Sequence, residues 1–241
     1  MKERIRSAAA DTKLLFRSVP SVVTALFTVS VVMMNVLANK TVFQNDWLAI
    51  DGGIFVSWLS FLCMDIVTKA FGPKASTKLS VFAMLVNLFA CLMFYGVSAI
   101  PTKEDFSAFN TVIGGTWFIL LASTVAFISS AVINNFMNWG IGRLFRRNPD
   151  GKLAFVARCY ISTFVGQFCD NLIFAVITFM FFAPIYWDGF HWTLIQCVTC
   201  SLLGASLELL MEIVFSPIGY AVLRSWQREG VGTAYMERSA A

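Results

Sequence analysis

The chain has 241 residues, 58% hydrophobic and only 13% charged, with a net charge of +4. Soluble domains carry about 25% charged residues, so much of this chain avoids water. At about 20 residues per crossing, the length allows about six membrane spans and excludes a separate soluble domain.

Residues 1–18 form a basic cytoplasmic segment with Lys2, Arg4, Arg6, Lys13 and Arg17. The apolar run that follows, 19–38, is too long for a signal-peptide core and has no convincing cleavage site. It reads as a retained first span. Further apolar stretches predict spans over 53–71, 77–100, 112–142, 153–185 and 193–223, followed by a cytoplasmic tail from 224 to 241. Helix is the expected form, since barrel strands would be about 10 residues long and half polar. The fold class is thus an all-α membrane bundle of six helices filling 19–223.

Lys and Arg set the orientation. With the N-terminus in the cytoplasm, 16 of the 18 basic residues fall inside, and only Lys40 and Lys103 lie outside. The positive-inside rule therefore predicts an N-in/C-in topology. Trp47, Trp187 and Trp192 fall near the outer interface, as an aromatic belt would.

Four acids lie inside predicted spans: Asp65, Asp170, Glu208 and Glu212. A charge at the bilayer centre costs about 2.5–3.5 kcal/mol on insertion scales, so such residues face a polar interior and mark function. Glu208 and Glu212 share a helix face at four-residue spacing. In the fifth span Thr163, Gln167, Asp170, Asn171 and Phe174 form one stripe. In the fourth, Ser130, Asn134 or Asn135, and Asn138 do the same. The second span adds Trp58, Asp65 and Thr68, and the first adds Asn35. Glu208 reads either as the partner of a base such as Arg158 or Lys69, or as a carboxyl kept neutral by burial. The expected substrate-binding set is Asp65, Asp170, Asn171, Gln167, Glu212, Glu208, Asn35, Asn135, Thr68 and Arg158.

Other signals point away from catalysis. Six scattered cysteines fall in or beside apolar runs and read as buried free thiols. Cys197-x-x-Cys200 opens an apolar helix with no matching metal ligands, and His191 sits at the outer interface. There is no nucleophile signature, phosphate loop or His-rich metal motif. Neither an enzyme, nor a cofactor, nor a nucleic-acid partner is expected. Transport would draw on an ion gradient, a separate energy-coupling partner or downhill flow.

The segments Asp65-x2-Thr68-x2-Phe71-Gly72, Arg158-x3-Ser162-x3-Gly166-Gln167-x2-Asp170-x3-Phe174, Glu212-x4-Pro217-x2-Tyr220 and Asn35-x4-Lys40 occur in this order. The set resembles the vitamin uptake transporter family, also known as queuosine precursor transporters, over nearly the whole chain. The resemblance implies a multi-pass importer of the bacterial inner membrane for a 7-deazaguanine-type base. It leaves open a homo-oligomer and an energy-coupling module, the latter if the chain is the substrate-binding subunit of an energy-coupling factor transporter. Three positions depart from the family pattern. Trp58 stands where many members have proline, Lys69 where many have an acid, and Glu208 near where many carry a lysine. The resemblance is therefore more specific for the family than for the ligand.

Overall fold

A computed structural model describes residues 2–144 and 152–240. The chain is 81% helical. Among the described residues, five helices are long and apolar enough to cross a membrane: Ile54–Phe71, Pro73–Ser98, Ser107–Ser130, Phe164–Tyr186 and Leu194–Phe215. A sixth candidate is the bent pair Ala9–Ser18 and Ser21–Leu37, whose axes differ by 103°. Pro20 lies at that bend. Proline cannot donate to the preceding turn and disfavours helical geometry in the residue before it, so α1 (Lys2–Ser18) stops and α2 (Ser21–Leu37) starts in a new direction.

The fold divides into two compact units. The first comprises Met1–Met33, Val56–Asn87 and Glu212–Ala241. It holds α1, most of α2 and of α3 (Ile54–Phe71), the start of α4 (Pro73–Ser98), the end of α9 (Leu194–Glu229) and all of α10 (Thr233–Ala240). Gly72-Pro73 makes the turn from α3 to α4: Gly72 terminates one helix, and Pro73 fits the first position of the next. The core of this unit gathers Leu15, Val19, Phe27, Cys63, Val67, Phe71, Leu79, Trp226 and Tyr235. Phe71 meets Trp226 edge-on at 5.8 Å between ring centroids. Lys78 joins three helices, pairing with Asp11 of α1 while its ammonium lies 5.8 Å from the ring centre of Tyr235 in α10. Within the segment expected as a tail, α9 runs on to Glu229 and α10 lies against α1.

The second unit comprises Met34–Phe55 and Leu88–Met211. Its first feature is a β-hairpin, β1 (Thr41–Gln44) paired antiparallel with β2 (Ala49–Asp51), in a stretch read from sequence only as an outer loop. The Asn45 side chain accepts from the N–H groups of Trp47 and Leu48, which closes the turn. Gln196 and Thr199 of α9 donate to the carbonyls of Asn45 and Trp47 and fasten the hairpin to that helix. Asp51 ends the hairpin and accepts a 2.7 Å bond from the Gly53 N–H. Burial nevertheless pushes its carboxyl up to about 6.

The expected fourth span is two helices, α5 (Ser107–Gly114) and α6 (Thr116–Leu144). The latter packs along α7 (Lys152–Ala175). The fifth span does not stay α-helical. After α7 the chain winds as a π-helix over Val176–Phe182 before α8 (Ala183–Tyr186), and the Ala183 N–H reaches back to the Thr178 carbonyl. Aromatic rings crowd this end. Phe179 stacks on Trp192 at 3.8 Å, and Phe118 stacks on Phe182 and Tyr186. Cys63, Cys91, Cys197 and Cys200 are buried free thiols.

Candidate functional site

Two polar sites emerge, one in each unit. In the first unit, α3 and the last third of α9 enclose a groove of 460 Å³, within the range usual for small-molecule sites. Its walls are Leu62, Asp65, Ile66 and Lys69 from α3 with Pro217, Gly219, Tyr220 and Leu223 from α9. The α3 residues recur at three- and four-residue steps and so share one face. Asp65 and Lys69 form an i,i+4 ion pair at 3.4 Å, with side chains 39% and 56% exposed. Asp65 is therefore half-exposed at the groove rather than sunk in a closed interior, because α3 ends six residues later. A pair this open and this long is weak and leaves both charges available to a ligand. Arg224 lies over the Tyr220 ring at 5.2 Å. Two turns before Asp65, Trp58 stacks on Phe215 at 4.6 Å with ring planes 13° apart. Thr68, expected to touch substrate, spends its hydroxyl on the Met64 carbonyl at 2.8 Å.

In the second unit the polar residues centre on α7. Half-buried Asp170 accepts a 2.8 Å hydrogen bond from the Ser130 hydroxyl of α6. Asn171, the next residue, points about 100° round the helix. It faces α9 at Gly204, where an added Cβ would come within 2.8 Å of its amide nitrogen. Gly204 thus provides the notch that lets α7 and α9 approach. Gln167, one turn before Asp170 and 7% exposed, has an amide oxygen with no donor among the described residues. Glu208, one turn beyond Gly204, is 4% exposed. Asn35 is 2% exposed, with no acceptor for its amide nitrogen among the described residues.

The expected residues accordingly fall into two sets. Asp65 and Thr68 belong to the first unit, as does the backbone of Glu212; Asn35, Gln167, Asp170, Asn171 and Glu208 belong to the second. The side chains of Asn135, Arg158 and Glu212 lie outside the described set, as do residues 145–151 of the basic loop. Sequence reasoning singled out Pro217 and Tyr220 without giving them a site, and it missed Gly204. Among the described residues there is no group of three or more His, Cys, Asp or Glu able to hold a metal ion.

These features define a predominantly helical, multi-pass membrane protein with a ligand-sized groove in one unit and a polar cluster in the other. The chain belongs to the vitamin uptake transporter family: the family model described as "Putative vitamin uptake transporter" matches residues 51–222. That stretch includes the residues of both sites except Asn35, Leu223 and Arg224. No curated protein and no solved structure matches the chain. Membership makes it a membrane importer.

Proposed function

We propose that the imported solute is a 7-deazaguanine-type base, a queuosine precursor, taken up across a bacterial inner membrane by a six-span chain with both ends in the cytoplasm. The observation that carries the substrate reading is the groove. Asp65 and the Pro217-x2-Tyr220 segment lie some 150 residues apart in the chain, yet line one cavity with Lys69. The distribution of Lys and Arg supports the topology.

The chemistry is complementary. A guanine-type edge presents two adjacent donors, the ring N1–H and the exocyclic amine, beside a carbonyl acceptor. A carboxylate accepts both donors, and an ammonium donates to the carbonyl. The loose Asp65–Lys69 pair supplies that combination once the base inserts between the two heads. Leu62, Ile66, Pro217 and Leu223 offer only carbon to the rest of the ring, and Tyr220 offers a face. Position 7 of a deazaguanine is carbon, whereas guanine carries an acceptor nitrogen there. Burying that nitrogen against an apolar wall without a donor costs about 1–3 kcal/mol. The groove thus favours the deaza base over guanine.

A thermal-shift panel on the purified chain tests this. The nitrile and aminomethyl 7-deazaguanines should raise the melting temperature, guanine should do so less, and unrelated vitamins not at all. A flat response to every purine would overturn the substrate.

A further inference from the structure

The polar cluster in the second unit is not needed to hold the base, and its chemistry suits a different ligand. We propose that Ser130, Gln167 and Asp170, with Glu208 at the same depth, form a sodium-ion site.

A carboxylate inside a span needs a counter-charge, because burying it alone costs several kcal/mol. Asp170 lies in the candidate span Phe164–Tyr186, and among the described residues it accepts from the neutral Ser130 hydroxyl. Arg158, the base on the same helix, is 12 residues away, about 18 Å along the axis. The second observation is Gln167. It shares a face with Asp170 at three-residue spacing, is 7% exposed, and has a carbonyl oxygen with no donor among the described residues. A buried acceptor without a donor is rare and needs an explanation, and a cation supplies one.

Ser130 completes the set through a choice of partner. Its hydroxyl has one proton, and the Phe127 carbonyl stands 3.1 Å away as an alternative acceptor to Asp170. When the proton turns to Phe127, the hydroxyl lone pairs and the Asp170 oxygen both face the ion. Glu208 reaches the same level by helix geometry. Asn171 meets α9 at Gly204, while Phe179, later in the chain, meets Trp192 just before α9, so the two segments run antiparallel. Four residues back on α7 and four forward on α9 are the same displacement, about 6 Å, which places Gln167 and Glu208 side by side in depth.

Oxygen donors such as carboxylates and amide carbonyls are what hard cations take, and ionisable side chains inside spans mark ion pathways. A proton would need only the carboxylate; the two neutral oxygens argue for a metal cation. The inference assigns Asp170 and Gln167 to the ion rather than to the base, and it rests on the importer class but not on the identity of the base.

The test uses the full chain in detergent with no base present, so an error in the substrate leaves it unaffected. Melting temperature is followed while sodium chloride replaces choline chloride or potassium chloride at constant ionic strength. Sodium should stabilise saturably and the other two should not. Ser130→Ala and Gln167→Leu should each raise the half-saturating sodium concentration by about tenfold, one missing ligand costing roughly 1.4 kcal/mol, and Asp170→Asn should abolish the response. Equal effects of sodium, potassium and choline on the unmodified chain would overturn the proposal whatever the variants do. A stabilisation that follows pH alone, or an unaltered sodium response in a folded Asp170→Asn chain, would overturn it as well.

Discussion

Asp65→Asn separates binding from folding at the groove. The change keeps the size of the side chain and removes its charge. A carboxylate accepts from both N–H groups of the base edge; an amide accepts from one and turns its own N–H against the other. Hydrogen bonds to a charged group contribute about 1.5–3 kcal/mol each. Asp65 is 39% exposed, so solvent screening favours the lower part of that range. Losing one such bond and opposing the other costs about 2–3 kcal/mol, or roughly 30- to 150-fold in Kd. The fold loses far less. The Asp65–Lys69 pair is an exposed i,i+4 contact worth about 0.3–0.5 kcal/mol, which moves the melting temperature by about 1–2 °C. Calorimetric titration with the aminomethyl base, beside a melt of the free protein, reads both quantities. A Kd within threefold of the unmodified chain would refute the assignment of Asp65 to the base. A large melting shift with unchanged affinity would instead make it structural.

Three further outcomes follow from named contacts. Gly232→Ala should destabilise the first unit by about 2–5 kcal/mol, read by thermal unfolding. Gly232 has φ +84°, costly for alanine, and its new Cβ would lie 2.2 Å from the ring of Phe71, which Trp226 and Tyr235 hold in place. Asp51→Asn should flatten the dependence of melting on pH. The folded carboxyl titrates at about 6 against 3.8 unfolded, so the fold binds the extra proton. Its stabilisation is complete below pH 3.8 and is lost as pH rises through 6, about 2–3 kcal/mol in all; asparagine keeps the bond from Gly53 and avoids that loss at pH 7. Lys78→Met should cost about 1 kcal/mol and speed hydrogen exchange in α1 and α10, because Lys78 contacts Asp11 and Tyr235 together.

Much of the outline was legible because hydropathy reports it directly. The stretches 53–71 and 193–223 anticipate Ile54–Phe71 and Leu194–Glu229 closely, since Gly72-Pro73 and the polar approach to Thr193 punctuate them. The hairpin was not legible. Its strands are four and three residues long, and the bonds that fix it come from Gln196 and Thr199, some 150 residues away. The π-helix leaves no mark in composition, because it differs from an α-helix only in which carbonyl each N–H selects. Hydropathy marked Asp65, Asp170 and Glu208 as unusual but not how each is satisfied. Asp65 answers to a neighbour on its own helix and Asp170 to a hydroxyl on another. The importance of Gly204 lies in an absent side chain, which no pattern of polar residues reveals.

The packing of α1 on α10 bears on how many times the chain passes through the bilayer. Asp11, Lys13 and Arg17 in the one, and Glu237 and Arg238 in the other, make both helices strongly polar. Two such helices touch only if they share a compartment. A thread that leaves and returns to one side has made an even number of passages, so the contact is what the proposed six-span reading requires. Fluorescent or phosphatase reporters fused to either end should then light up in the same compartment.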